Sequence, residues 1–217
     1  MTVGVLGPPP ALGGHDLQYY PVSTYAGTTI TTDAIVTQAA GSSLVVCLSR
    51  ASSLSSAPTD NKGNTLTQLG SKDPYNGWPA WGTSLWADAV IAGGSGHTVS
   101  ADMVSNDEIT VFAVEIMNGG TISDYDHTQV DTESPLVGGS VTTTGPAVLI
   151  SFWWGNGGVE SHTATPNNGF TVIESLLLSG SVIQGAVAVR VVSRSGTYGV
   201  SWTSNDPGGQ TWLVAVE

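Results

Sequence analysis

Charge is the scarcest thing in this chain. Only 10% of its 217 residues are charged, well under half the share usual in soluble domains. Bases are scarcer still: five Lys and Arg stand against 17 Asp and Glu, for a net charge of −12. Nucleic-acid binding needs a basic stripe to neutralise phosphates, and none exists. Anionic membrane surfaces are disfavoured for the same reason. The partners left are neutral or cationic: other proteins, glycans, metal ions.

Cysteine is nearly absent. Cys47 is single, so no internal disulfide and no Cys-rich zinc site can form. It lies in the apolar run "SLVVCLS" and reads as a small buried hydrophobe. No run reaches the ~18 apolar residues of a helical membrane span. The opening "MTVGVLGPPPALGGHDLQYY" lacks the basic and apolar regions of a secretory signal. With Met1 as the natural start, the expected location is a virion or the extracellular space, reached without a classical signal peptide. Helical periodicity is also missing, and "LSRASSLSS" (48–56) gives only a faint trace.

Strand signals fill the space. Short runs rich in Val, Ile, Thr and aromatics are bounded by Gly, Pro, Asn and Asp. They fall near 17–24, 27–37, 42–50, 64–69, 83–91, 97–103, 108–117, 136–143, 146–154, 169–176, 181–192, 197–203 and 210–216. An apolar share of 40% suffices for a core and argues against disorder. The sequence predicts an all-β fold, a jelly-roll-like antiparallel β-sandwich. Residues 1–16, with "GPPPALGG", read as an extended N-terminal arm or linker that docks on a neighbouring subunit. Residues 17–217 read as one sandwich domain.

The chain also repeats itself. "SSLVVCLSR" (42–50) parallels "GPAVLISFW" (145–153), and "DNKGNTLTQL" (60–69) parallels "TPNNGFTVIES" (165–175). "SGHTVSADMVSND" (95–107) parallels "SGTYGVSWTSND" (195–206), and "ITVFAVE" (109–115) parallels "QTWLVAVE" (210–217). The order is kept and the offset stays near one hundred residues. That is too long for a solenoid unit. Two halves, about 37–117 and 140–217, would build one sandwich, with 118–144 crossing between them; two small domains is the other reading.

"DNKGNTLTQL", then "SLWADAVIAGGSGHTVSADM", then "VFAVEI" resembles a β-sandwich unit found in bacterial surface proteins and phage structural proteins. That unit carries an Asp-x-x-Gly-Asn turn, a Trp- or Tyr-containing strand, a Gly-Gly turn and a last strand ending in an acid. The resemblance spans roughly 35–217. It implies an adhesive or architectural module and brings no catalytic residues.

Chemistry is thinly signalled. The histidines are His15, His97, His127 and His162, and no G-x-S-x-G elbow accompanies them. The repeat aligns His97 with Thr197, which suggests a structural position. Glu115 and Glu217 end equivalent strands and could suggest a glycosidase pair. A catalytic acid has no use for a twin, so both are expected to cap strand ends. "SDYDHTQVDTE" (123–133) gathers Asp124, Asp126 and Asp131 with Glu133. Calcium takes six to eight oxygens, and these three aspartates are its candidate ligands; the plainer expectation is a solvated acidic loop. "DNKGN" (60–64) reads as an Asx-turn with Gly63 at positive φ.

The aromatic residues are the candidates for binding. "KDPYNGWPAWGTSLW" (72–86) places Tyr75, Trp78 and Trp81 with Asn76 among turn formers. Trp86 shares a strand face with Ser84 and Asp88, so it is expected to be exposed or covered by a loop. The loop is a lid on its own core, a subunit interface, or a stacking surface for a glycan. In "FWWGNGG" (152–158), Trp153 and Trp154 point to opposite faces, so one of them must meet a second layer, a partner or a ligand. The functional expectation is a non-enzymatic virion component, a phage-like head-decoration, spike or tail accessory protein. It would be a homo-oligomer, with an adhesive role toward host glycans. The alternatives are an exported bacterial carbohydrate-binding module and, on stray carboxylates alone, a polysaccharide-acting enzyme.

Overall fold

The apolar residues of the best strands leave no solvated face, and the architecture follows from that. In a computed structural model, describing residues 7–20, 26–131, 134–155, 163–177, 184–205 and 208–217, all regular structure is β. The first eight strands are β1 Ala11–Tyr20, β2 Thr29–Thr31, β3 Ala40–Arg50, β4 Thr59–Asp60, β5 Thr67–Tyr75, β6 Trp78–Ala92, β7 Val99–Asp102 and β8 Ile109–Met117. The second eight are β9 Ile122–Val130, β10 Leu136–Thr143, β11 Ala147–Gly155, β12 Ala164–Pro166, β13 Thr171–Leu176, β14 Gly185–Val192, β15 Gly196–Ser204 and β16 Gly209–Val216.

Two five-stranded sheets, β1-β8-β3-β6-β5 and β9-β16-β11-β14-β13, face each other. Between them lies a core of Val45, Cys47, Phe112 and Val114 against Val148, Ile150, Phe152, Trp212 and Val214. Each large sheet is covered on its outer side by a three-stranded sheet, β2-β7-β4 or β10-β15-β12. The outer cores hold Leu44, Val46, Leu48, Trp86 and Val111 in the first half. In the second they hold Leu149, Trp153, Trp202, Leu213 and Ala215. The layers thus run three, five, five, three. Period-two alternation sends odd and even residues of β3 and β8 into different cores. Such strands read as continuous apolar runs because both faces are dry.

Subtracting eight from each label of the second half reproduces the strand order of the first. The eight-stranded unit is therefore duplicated whole, each copy a sandwich with its own outer core, joined back to back. The duplication reaches beyond the segments at 37–117 and 140–217: it begins at β1 and at β9. The stretch 118–144, read as a crossing connection, contains β9 and β10.

The N-terminal segment also differs from expectation. Ala11–Asp16, placed in an arm, lie in β1 and pair with β8. Leu12 and Leu17 pack against the central core. The register shifts between Leu12 and His15, and there the Glu115 carboxylate enters: its Oε2 accepts from the Gly14 N–H at 3.0 Å. A Cβ on Gly13 would collide with that carboxylate. The two glycines read as linker because their role is set from elsewhere: Gly13 makes room for Glu115, from a strand a hundred residues away, and Gly14 for the backbone of Val36.

Candidate functional site

"DPYNGWPAW" is not a loop. β5 and β6 run straight through it, pairing Pro74 with Gly82 and Tyr75 with Trp78 around the turn at Asn76–Gly77. Pro74 is tolerated because β5 is a sheet edge, where a missing N–H breaks no inner ladder. The result is a long hairpin projecting from one end of the molecule.

The hairpin is braced against the second half. Tyr75 is buried and meets Trp154 edge-on, with ring centres 5.3 Å apart. The Asn76 amide donates to both oxygens of Asp131 at 3.3 Å. Gln210 Nε2 donates to the Asp73 carbonyl at 2.8 Å. Trp212, in the central core, donates from Nε1 to Thr83 Oγ1 at 2.8 Å. His127 lies over Trp212 at 4.6 Å and places Nδ1 3.7 Å from Asp73 Oδ2. Burial raises the Asp73 carboxyl above its ordinary pKa, partly offset by His127 and by Gln210.

Beyond these braces, Trp78 stands 59% exposed. Its ring is stacked on Trp81, with centres 5.1 Å apart and planes 18° apart. The pair forms a flat apolar platform with Trp78 outermost. Beneath it, the space among Cys47, Ser49, Thr83, Phe112, Phe152, Trp153, Trp154, Gln210 and Trp212 amounts to about 10 Å³. That is room for one water molecule, so this cavity holds no larger ligand.

The other aromatic candidates are core. Trp86 is buried in the first outer core, with Nε1 bonded to Ser84 Oγ at 3.0 Å. Its strand face looked polar in sequence, yet the outer three-stranded sheet covers it. Trp153 and Trp154 do point apart: Trp153 is buried in the second outer core, stacked on Trp202. Trp154 turns the other way, toward Tyr75. The second layer that this parity demanded is the sister half.

Of the acidic stretch, residues 123–130 lie on β9 rather than in a loop, and Asp131 follows directly. Asp124 Oδ2 accepts from the Thr142 N–H at 2.8 Å, and Asp126 Oδ2 from the Ser140 N–H at 3.0 Å. Asp131 is engaged with Asn76. These carboxylates tie β9 to β10 and the hairpin to β9. Among the described residues no three His, Cys, Asp or Glu come close enough together to hold a metal ion; Glu133 and His162 lie outside those residues. Asp16, at the β1 position matching Asp124, accepts from the Asp33 N–H at 2.8 Å in the same way.

Glu115 and Glu217 are twins in use as well as in sequence. Glu115 Oε1 accepts from the Gln38 N–H at 2.6 Å, and Glu217 Oε1 from the Thr144 N–H at 2.5 Å. Burial alone would raise the Glu217 carboxyl, but hydrogen bonds from Thr144, Gly145 and Ser123 outweigh it and hold the pKa low. Cys47 is buried, and desolvation pushes its thiol far above the ordinary range, so it is no nucleophile.

One constellation escaped the sequence. Thr37 Oγ1 lies 3.0 Å from His97 Nδ1, and His97 Nε2 lies 2.8 Å from Asp60 Oδ2. A hydroxyl, an imidazole and a carboxylate in line suggest a nucleophilic triad. The surroundings oppose that. The His97 and Asp60 side chains are wholly buried. The Thr37 hydroxyl oxygen accepts from the Gly94 N–H at 3.0 Å and lies 3.3 Å from the Gly94 carbonyl. Asp60 also accepts from the backbone of Lys62 and Asn64 and from the Asn64 amide. No face is left for a substrate. This is the inside of the Asp-x-x-Gly-Asn turn, with Gly63 at φ +80°, and His97 is its buried plug.

The sister turn shows the alternative. Asn61 and Asn167 make matching bonds, to Thr98 and to Ser201. This register sets Asp60, Asn64 and His97 opposite Pro166, Phe170 and Val200; the sequence alignment of His97 with Thr197 was three residues out. One half closes its turn with a polar network and the other with apolar side chains. Comparison with family models, curated proteins and solved structures finds no match to this chain.

Proposed function

We propose that the chain is a non-catalytic structural component of a virion, of the head-decoration, spike or tail accessory kind, that attaches through its aromatic end. The observation that carries this reading is Trp78: more than half exposed, stacked on Trp81, at the tip of a hairpin braced to both halves. A large exposed ring is costly to leave in water and offers contact area with little side-chain entropy to lose. Aromatic anchors of this kind are enriched at binding surfaces. The buried His97–Asp60 pair and the buried Glu115 carboxylate, each tied to its neighbours by hydrogen bonds, favour architecture over turnover. The resemblance to phage and bacterial surface sandwiches points the same way, as does a low-charge, hydroxyl-rich surface.

A second reading has support from the same platform. Indole faces stack on the apolar faces of sugar rings, and Asn76 and Asp131 supply hydrogen-bonding groups beside them. An exported carbohydrate-binding module would be built this way. The test is retention of wild-type and Trp78→Ala chains on immobilised peptidoglycan, lipopolysaccharide and capsular polysaccharide, and on particles assembled without this chain. Retention on particles that drops at least tenfold in the variant supports the virion reading, and retention on a polysaccharide supports the second. Equal retention of both chains everywhere refutes attachment through this end.

A further inference from the structure

The end opposite the platform carries a surface that suits it. β1, β3, β6 and β8 fix the geometry: Ala11, Ala40, Ala92 and Met117 lie at one end of the sheet, and Tyr20, Arg50, Gly82 and Ile109 at the other. Trp78 lies beyond Gly82. Pro8, Pro9 and Pro10 precede Ala11 and so lie at the far end, with the Pro9 carbonyl accepting from Asn118 Nδ2 at 3.2 Å. β6 alone has fifteen residues, which at about 3.3 Å each separates the two ends by roughly 50 Å.

At the far end there is a groove of about 530 Å³. Its walls are the three successive prolines, Pro146, Asn118 and Glu217. Pro8 and Pro9 are exposed. Consecutive prolines hold a preformed extended surface that binds aromatic rings at little entropic cost. Glu217 is already engaged with Thr144, so the groove has apolar area to offer rather than a free charge. A proline-walled groove wants a flat ring, and this same molecule exposes one.

We infer that a partner of the Trp78–Trp81 platform is the proline groove of a second copy of this chain. The inference rests on the attachment reading above and names the occupant. Tip and groove are different surfaces roughly 50 Å apart, so one contact leaves a second tip and a second groove free. Two copies can close reciprocally, or copies can continue from end to end. A contact of this size is weak alone and becomes effective where copies are held close together, as on a particle. Both surfaces belong to a chain of net charge −12, so salt should strengthen the association by screening repulsion.

The experiment is sedimentation velocity of the full chain from about 10 μM to about 1 mM, the range where small interfaces half-saturate. Wild type should show mass rising with concentration, and more steeply in high salt. Trp78→Ala and the double variant Pro8→Ala/Pro9→Ala should each shift the midpoint upward at least tenfold. All three substituted side chains are exposed, so circular dichroism should confirm unchanged folds. Mixing the two variants should restore pairing, because one keeps the groove and the other the tip. Wild type that stays monomeric, variants that associate like wild type, a mixture that does not pair, or association weakened by salt would each overturn the inference. If self-association is absent while Trp78-dependent retention on particles or polysaccharide persists, only this inference fails. If both are absent, the attachment reading fails with it.

Discussion

Replacing Asp60 by alanine removes the acceptor from four donors at once: the N–H groups of Lys62 and Asn64, the Asn64 amide, and His97 Nε2. The side chains of Asp60 and His97 have no exposed surface, so water does not readily reach His97 Nε2 once its partner is gone. Each orphaned buried donor costs about 1–3 kcal/mol, and more than one is left here. A loss on the order of 3–5 kcal/mol is therefore expected for Asp60→Ala, or roughly 6–20 °C in melting temperature for a chain of this length. The sister turn supplies the control. Val200 occupies the position of His97, so His97→Val added to Asp60→Ala should cost at least ~1.5 kcal/mol less than the two single changes summed. The pH dependence follows from the same contacts. Burial alone would raise the Asp60 carboxyl, but the bonds from Asn64 and His97 outweigh it, and its pKa lies below the ordinary value. A carboxyl depressed in the folded state adds stability above its unfolded pKa of about 3.9. That stability is lost as the pH falls through the folded value. Urea titrations between about pH 2 and pH 7 should show wild type losing stability below pH ~4 more steeply than Asp60→Ala. A loss under ~1 kcal/mol at pH 7, with parallel acid limbs, would refute the account of this turn as a buried polar plug.

Trp78→Ala should leave the melting temperature within about 2 °C of wild type, since more than half of the residue is exposed, and differential scanning calorimetry checks this. Trp154→Ala should lower stability by about 3–5 kcal/mol in urea unfolding, because it empties a buried site between the halves. Asp73 carries a carboxyl raised by burial, so its charged form opposes folding at neutral pH. Asp73→Asn should therefore be neutral or stabilising at pH 7, and a loss above ~1 kcal/mol in the same assay would contradict that. Glu217→Gln should weaken the tie to Thr144 by about 1–2 kcal/mol while leaving the Trp78–Trp81 end unaltered, as tryptophan fluorescence quenching should report.

The strand content, the turn at Asp60 and the duplication were legible because each leaves a local mark: β-branched runs, Asx chemistry, recurring words in order. β9 was missed because its sequence, ISDYDHTQV, is polar on both faces. Its hydrogen bonds to β16 decide it, and an edge strand needs few apolar residues. Extending the repeat backward would have found it, since Asp16 and Asp124 hold equivalent places. The β5–β6 hairpin was read as a loop because prolines and glycines outvoted pairing that only a sheet edge permits. Parity puts Trp86 on a polar face, exposed or under a loop, because nothing local announces that a three-stranded sheet covers it. Thr37, His97 and Asp60 lie up to sixty residues apart, and no spacing rule brings them together. What parity could decide, the opposite facing of Trp153 and Trp154, it decided from two adjacent letters.

The central question is whether Trp78 is the contact by which this protein attaches. Oxidative footprinting of its indole by mass spectrometry tests that directly. The chain is probed dilute, concentrated, and bound to particles or polysaccharide. Trp78 should be oxidised readily in the dilute chain and protected several-fold in at least one associated state, while buried Trp153 and Trp202 stay unreactive throughout. Trp78 reacting equally in every state, with binding intact, would place the working surface elsewhere.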